Sequence, residues 1–212
     1  MSKKNESEQL KFWRGDFGAD YISRNTAHDD AIRARVALWA RIMAAMEGRP
    51  PRSILEVEAN IGLNLRALRH LTDARLGAVE PNDVARSKLV GDRVLAPGDV
   101  HDGYAASLPF EDASFECVFT SGVLIHVSPE ELGASISEIS RVAHRYIVCI
   151  EYFSDSPVEL NYRGHSERLF KRDFGQFYLD NIPDIRVLDY GFAWKATTCL
   201  DSLTWWVFEK NI

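Results

Sequence analysis

The chain has 212 residues, 46% of them hydrophobic, which is enough for one globular domain with a full core. A net charge of −6 argues against a nucleic-acid-binding protein, because phosphate contacts require a basic surface. We find no signal peptide, no apolar run long enough to cross a bilayer, and no CxxC pair among the three cysteines. We therefore expect a cytoplasmic protein that binds neither a membrane nor a metal, with Cys117 and Cys149 as small core residues in a reducing compartment.

The first 30 residues are rich in aromatic side chains, among them Trp13 and Tyr21. These side chains either pack on the core of the domain or close over a bound ligand as a lid. Helical periodicity then predicts a helix over residues 31–46, with Asn25 or Thr26 as its N-cap.

Residues 53–64 predict a strand, a tight turn and a helix. Such a junction directs backbone N–H groups and the positive end of a helix dipole to one point, which favours an anion. Glu80 ends the next apolar run, eighteen residues after Gly62. That interval is close to the roughly twenty residues at which nucleotide-binding units place an acidic residue for the ribose hydroxyls. The alternative is an ordinary βα unit with a solvated Glu80.

Strands and helices continue to alternate along the chain, which predicts an α/β fold with a parallel sheet covered on both faces. Ligands of such sheets lie beyond the carboxyl ends of the strands. The predicted strands are 54–57, 76–79, 93–96, 115–120, 146–151, 185–192 and 203–208, the last two antiparallel. The predicted helices are 63–71, 82–90, 128–143 and 167–181, and residues 154–165 form a long irregular loop.

The order of ILEVEANIG, AVEP and LPFEDASFECVFTSGVLIHV resembles the class I S-adenosylmethionine-dependent methyltransferases. FWRGDFGADYISRN, VLIHVSPEEL and YRGHSERLFKRDF are similar, more narrowly, to methylases associated with pseudaminic acid biosynthesis. The resemblance implies a single domain over residues 1–212 with a Rossmann-like, seven-stranded, mostly parallel sheet whose last strand is antiparallel. It also implies a methyltransferase with S-adenosylmethionine as cofactor, S-adenosylhomocysteine as product, an N-terminal lid over residues 1–30 and a substrate loop over residues 154–166.

The resemblance assigns cofactor roles to individual positions. Glu56 would orient the methionine ammonium group, Asn60 and Gly62 would form the turn, and Glu80 would bind the ribose. The complete expected cofactor set is Trp13, Tyr21, Arg24, Glu56, Glu58, Asn60, Gly62, Glu80, Pro81, Gly103, Tyr104, Ala105, Ser121 and Gly122.

Glu58 departs from the family pattern, which has glycine there because the backbone passes close to the ligand. Its carboxylate could turn to solvent, attract the ammonium or sulfonium group, or fill the space of the ligand. Asn60 also replaces a glycine, but asparagine adopts left-handed backbone angles more readily than most residues. Glu58 supports an alternative function, a ligand-binding protein that keeps the fold with impaired or lost catalysis.

Methyl transfer to a hydroxyl needs a base, for which the catalytic candidates are His126, Glu151, Tyr162 and His165. His126 is either that base or a core histidine, and Glu151 is either a base or a solvated strand-end residue. Tyr152 and Arg163 are the expected substrate-binding residues, Arg163 through a two-pronged contact to a carboxylate or else as a surface residue.

We expect the acceptor to be a hydroxyl or amine of a small polar metabolite, such as a sugar derivative. A nicotinamide-dependent oxidoreductase is disfavoured because the first turn lacks the full glycine pattern. The sequence is compatible with a homodimer.

Overall fold

The structure is a computed structural model that describes residues 8–162 and 165–211. Of residues 8, 9, 23, 24, 162 and 165–168 it describes the backbone alone. The helices are α1 Glu8–Arg14, α2 Asp16–Arg24, α3 Asp29–Ala44, α4 Leu63–Leu68, α5 Asp83–Gly91, α6 Pro129–Val142, α7 Phe174–Asn181 and α8 Lys195–Thr198. The strands are β1 Ser53–Val57, β2 Arg75–Val79, β3 Val100–His101, β4 Phe115–Ser121, β5 Ala143–Glu151, β6 Val158–Tyr162, β7 His165–Lys171, β8 Ile185–Ala193 and β9 Leu203–Lys210.

Seven strands form one sheet in the order β3-β2-β1-β4-β5-β9-β8. The pairs from β3 to β5 are parallel, and β9 runs antiparallel to both of its neighbours. This confirms the predicted fold class and the antiparallel pairing of the last two strands. The strand order reverses between β1 and β4, and such a switch point opens a crevice at the carboxyl ends of the strands.

Two apolar layers cover the two faces of the sheet. On one face α3 and α4 contribute buried residues such as Trp39 and Leu65. On the other face α6 and α7 contribute residues such as Ile139 and Phe174. Cys117 on β4 and Cys149 on β5 are fully buried, as predicted, whereas Cys199 after α8 is exposed.

The region after β5 differs from the prediction. Residues 158–162 of β6 and 165–171 of β7 pair as a separate two-stranded antiparallel sheet, the β6–β7 hairpin, where the sequence predicted an irregular loop and the start of a helix. The helix is limited to α7. Pairing between β6 and β7 supplies backbone hydrogen bonds that the local periodicity of residues 167–181 does not reveal.

Two further predictions of local structure are wrong. Residues 93–96 are not a strand, because Val94 and Leu95 fill the core from a connecting segment, and the strand there is β3 at Val100–His101. The N-cap of α3 is His28 rather than Asn25 or Thr26. No helix in the described ranges is long and apolar enough to span a bilayer. The same ranges contain no cluster of three or more His, Cys, Asp or Glu residues that could hold a metal ion.

Candidate functional site

The turn after β1 has an unusual backbone. Glu58, Asn60 and Gly62 all have positive φ values, of 56°, 51° and 71°. Asn60 stabilises its own conformation because its Oδ1 atom accepts the Ile61 N–H at 2.7 Å. A left-handed angle is ordinary for Gly62 and tolerable for Asn60, but it is unfavourable for a glutamate.

Glu80 is buried at the end of β2 and is held by two backbone N–H groups. Its carboxylate accepts the Asn60 N–H at 2.7 Å through one oxygen and the Asn82 N–H at 2.8 Å through the other. Burial raises the pKa of Glu80 to about 7. Each carboxylate oxygen can accept a second hydrogen bond, so Glu80 can still accept one from a ligand.

Glu56 is buried on β1, and its two carboxylate oxygens differ in their hydrogen bonding. Oε1 accepts a hydrogen bond from Asn64 Nδ2 at 2.7 Å, and Asn64 Oδ1 in turn accepts one from Trp39 Nε1 at 3.3 Å. Oε2 is buried and has no hydrogen-bond partner. Burial raises the pKa of Glu56 to about 8. An unpartnered buried acceptor is costly, which indicates a place for a donor.

Arg35 on α3 lines the same cleft as Glu56. One of its guanidinium nitrogens donates a hydrogen bond to the Ala31 carbonyl at 3.1 Å. The arginine forms no ion pair with any residue in the described ranges. Burial lowers the pKa of Arg35, and Glu56 opposes that change through its charge. Sequence analysis missed Arg35, because one arginine among several on a helix gives no local signal.

Helices α1 and α2 cover the cleft. The Trp13 ring packs against Tyr21 at 5.5 Å and against His126 at 4.8 Å between ring centroids. Asn82 Nδ2 donates a hydrogen bond to the Trp13 carbonyl at 3.1 Å. A Cβ atom added to Gly18 would lie 1.8 Å from that same carbonyl oxygen, so only glycine allows this approach.

An ion-pair network ties the covering helices to the sheet. Asp102 pairs with Arg14 of α1 at 2.9 Å and with Arg86 of α5 at 3.0 Å. Arg86 also donates to the carbonyls of Glu80 and Pro81, at 2.7 and 2.8 Å. The N-terminal helices therefore lie as a cover on the loop that holds Glu80.

The cleft has a volume of about 850 Å³ including its open mouth. It brings together nine of the expected cofactor residues, which are Trp13, Tyr21, Glu56, Glu58, Asn60, Glu80, Pro81, Ser121 and Gly122. Tyr104 and Ala105 line an adjoining cavity of about 370 Å³, again including its open mouth. Gly62 and Gly103 line neither space. The Arg24 side chain lies outside the described part of the structure.

Glu58 stands between the two cavities and lines both. Its Oε1 atom accepts the Ala105 N–H at 2.9 Å. Burial raises the pKa of Glu58 to about 7, and the backbone hydrogen bond from Ala105 opposes that rise. The side chain is half-buried and hydrogen-bonded to the backbone, so the interpretation in which it simply points to solvent is wrong.

His126 lines both cavities from the short 3₁₀ turn Leu124–His126. Glu151 does not line them. It is fully buried below that turn, and its carboxylate accepts the N–H groups of Val123 and Leu124 at 3.1 Å and of Ile125 at 3.4 Å. The prediction of Glu151 as a base or a solvated residue is therefore wrong, because both oxygens hold the turn that carries His126.

The expected substrate residues are only partly described. The Tyr152 hydroxyl donates to Asp201 at 2.8 Å, and its ring lies 4.9 Å from the Lys171 ammonium group, outside both cavities. Substrate contact by Tyr152 therefore stays a prediction. Arg163 lies outside the described residues, and Tyr162 and His165 pair through their backbones while their side chains are not described. Strand β7 lies against the turn of His126.

Residues 55–146 match a family model described as a methyltransferase domain. No curated protein matches the chain by sequence. The fold is that of the class I S-adenosylmethionine-dependent methyltransferases, and the matched segment spans β1 to the start of β5, including most of the cleft.

Three solved structures show the likeness of the fold. The 1,6-didemethyltoxoflavin-N1-methyltransferase of Burkholderia thailandensis, with bound 1,6-didemethyltoxoflavin and S-adenosylhomocysteine, has a TM-score of 0.70 at 18% identity, covering 100% of this chain and 94% of that one. A SAM-dependent methyltransferase of Leishmania major has a TM-score of 0.72 at 16% identity, with coverages of 96% and 87%. Magnesium protoporphyrin IX methyltransferase of Synechocystis, with bound S-adenosylhomocysteine, has a TM-score of 0.66 at 16% identity, with coverages of 95% and 98%.

Proposed function

We propose that this protein transfers a methyl group from S-adenosylmethionine to a hydroxyl or amine of a small polar metabolite. One observation carries the proposal. Glu56 Oε2, a buried acceptor without a partner, and Arg35, a guanidinium without an ion pair among the described residues, line one cleft together with Glu80. This set of groups complements a molecule that has an amino-acid zwitterion and a ribose diol.

The cleft fits the cofactor group by group. The ammonium group would donate to Glu56 Oε2, and the carboxylate would accept two parallel hydrogen bonds from Arg35. The ribose hydroxyls would donate to Glu80. Beyond Glu80 the nucleobase would enter the cavity lined by Tyr104 and Ala105. When bound, the sulfonium cofactor supplies an electrophilic methyl group for in-line displacement.

The residues of the chain contribute alignment and proton transfer. The turn held by Glu151 places His126 on the wall shared by both cavities. For a hydroxyl acceptor, His126 would take the proton as the oxygen attacks. Alignment of the two reactants supplies up to about 7–11 kcal/mol in favourable cases. Trp13 and Tyr21 cover the cleft and limit access of water to the reacting atoms.

The surface beside His126 indicates the kind of molecule that would accept the methyl group. The β6–β7 hairpin lies against the turn of His126 and replaces the loop predicted to bind substrate. The string YRGHSERLFKRDF, over residues 162–174 of the sequence, resembles the pseudaminic acid-associated methylases. A sugar-derived metabolite with a carboxylate is the acceptor that this string supports.

Calorimetric titration tests the cofactor assignment. We expect S-adenosylhomocysteine to bind and NADH not to bind. Mass spectrometry of small molecules retained on the purified protein gives an independent readout, with S-adenosylhomocysteine or S-adenosylmethionine expected. The cofactor assignment fails if the folded protein binds neither compound at millimolar concentration.

The second candidate function is ligand binding without transfer, which the position of Glu58 between the two cavities favours. Incubation with S-adenosylmethionine labelled in the methyl group, together with a set of sugar acids and amino sugars, separates the two functions. Label in a product supports transfer, whereas tight cofactor binding with no labelled product in that set supports the binding protein.

A further inference from the structure

We propose that Glu58 is a built-in competitor of the cofactor, whose carboxylate closes the passage between the cleft and the adjoining cavity. This inference rests on the proposed function and refines it. Glu58 Oε1 accepts a hydrogen bond from the Ala105 N–H at 2.9 Å. A ligand that reaches from Glu56 past Glu80 into the second cavity has to displace this side chain.

The positions of the shared residues support the closure. Glu58 and Pro81 line both cavities, and Pro81 directly follows Glu80 in the chain. A ribose held by Glu80 carries its nucleobase on the side away from the amino acid, which directs the base past Pro81. The Glu58 side chain stands on that path and occupies the Ala105 N–H, a donor that a base nitrogen could otherwise use.

The surroundings of Glu58 favour release of its hydrogen bond with Ala105 when a ligand enters. Glu58 has a left-handed backbone with φ of 56°, which is unfavourable for a residue with a side chain. Two other carboxyl groups, Glu131 on α6 and Glu80 on the loop after β2, interact with it electrostatically, and neither attracts it. His126 is the remaining titratable residue shared by the two cavities.

Among the described residues, the Glu58 side chain accepts one hydrogen bond, from the Ala105 N–H. A carboxylate with four acceptor sites is therefore poorly satisfied at this position. Nothing in the turn requires the side chain for folding, because glycine adopts a positive φ without strain. The arrangement lowers cofactor affinity and leaves the fold intact.

The test compares the affinities of variants for S-adenosylhomocysteine and for 5′-methylthioadenosine, which keeps the nucleoside and lacks the amino acid. We expect Glu58→Gly and Glu58→Ala to lower the Kd of both ligands by about tenfold or more, the equivalent of one charge-assisted hydrogen bond. Ala113→Gly is the matched control. Ala113 also has a positive φ, of 55°, but lies on an exposed loop away from both cavities. We expect its Kd values to stay within about twofold of the parent value, the scatter expected of a surface substitution.

Hydrogen exchange gives a second readout without ligand. The Ala105 amide should exchange faster in Glu58→Gly, because it loses its acceptor. If the parent protein binds S-adenosylhomocysteine and neither Glu58 variant binds it more tightly, the inference is overturned and the proposed function stands. If the parent and the folded Glu58→Gly variant both fail to bind either nucleoside, the proposed function fails and the inference with it.

Discussion

Glu151 Oε1 accepts the backbone N–H of Val123 at 3.1 Å, which joins the end of β5 to the turn after β4. The same carboxylate accepts the N–H groups of Leu124 and Ile125. These three donors point inward at the start of the turn that places His126 on the wall of the cleft. A residue that the sequence offers as a base is in fact a support for another candidate base.

Loss of this support should destabilise the fold. We expect Glu151→Ala to lower the free energy of unfolding by about 3 kcal/mol, because buried N–H groups lose their acceptor. Urea denaturation followed by circular dichroism measures the change. Glu47→Ala, on the exposed segment after α3, is the control and should change the unfolding free energy by less than about 0.5 kcal/mol. Equal unfolding midpoints for the two variants would contradict the structural role of Glu151.

Arg35 should discriminate between ligands with and without the amino-acid group. We expect Arg35→Ala to raise the Kd of S-adenosylhomocysteine by about tenfold to a hundredfold, since a bidentate contact to the carboxylate is lost. The Kd of 5′-methylthioadenosine should change by less than about twofold, because it makes no contact with the arginine. Arg41→Ala on the same helix is the control. Equal weakening of both ligands would show that Arg35 acts through the fold instead.

Cofactor binding should release a proton. Burial raises the pKa of Glu56 to about 8, so the carboxyl is mostly protonated at pH 7 before the ligand arrives. An ammonium group bound at Oε2 favours the carboxylate and lowers that pKa. We expect up to about one proton to be released per complex at pH 7. As the pH is raised from 6 to 8, the Kd should fall by up to about tenfold per pH unit.

Calorimetry at pH 7 in buffers with different heats of ionisation measures the proton release. Glu56→Gln, which has no titratable group at this position, should reduce both the release and the pH dependence of the Kd. The remainder would come from Glu58 and Glu80, whose pKa values burial raises to about 7. A parent protein with the same apparent binding enthalpy in all buffers would contradict the protonated state of Glu56.

Stability without ligand should fall as the pH rises from 5 to 8. Burial raises the pKa of Glu56 to about 8 and those of Glu58, Glu80 and Glu151 to about 7, from an ordinary value of 4.5. A carboxyl with a raised pKa binds its proton more tightly in the folded state. Its contribution is therefore fully present below about pH 4.5 and is lost as the pH rises through 7 to 8. Urea midpoints at pH 5, 6, 7 and 8 check the direction, and a midpoint that rises over this window would contradict it.

The packing of α1 on α2 should depend on Gly18. We expect Gly18→Ala to detach α1, because the added Cβ atom would lie 1.8 Å from the Trp13 carbonyl oxygen. Hydrogen exchange of residues 8–24 should accelerate, and the Kd of S-adenosylhomocysteine should rise. Gly133→Ala on α6 is the matched control, since nothing lies within 4 Å of its added Cβ atom. Unchanged exchange in Gly18→Ala would contradict the proposed cover.

The parts of the fold that the sequence predicts correctly depend on local signals. The strand, turn and helix around Gly62 are visible because apolar periodicity and small residues occur within a dozen positions. The pairing of β8 and β9 follows from two apolar runs with no long helix between them. The β6–β7 hairpin was missed, because its stability comes from pairing across the hairpin and from packing on the turn of His126.

In the candidate site, too, only the residues with a local sequence signal are predictable. Glu56 and Glu80 are predictable because each ends a strand on the same edge of the sheet. The orientation of Glu58 is not, since its partner Ala105 lies 47 residues further along the chain. Arg35 reaches the cleft from a helix whose pattern indicates only an amphipathic surface. Contacts between distant segments decide these roles, and periodicity does not describe them.

The distribution of the cysteines makes a thiol-specific fluorophore practical. Cys117 and Cys149 lie inside the central strands, and burial raises the pKa of both thiols, so neither offers a reactive thiolate to a maleimide. Cys199 is exposed and is the remaining cysteine of the three in the chain. The unaltered protein should therefore accept a single dye beside α8, without engineered cysteines.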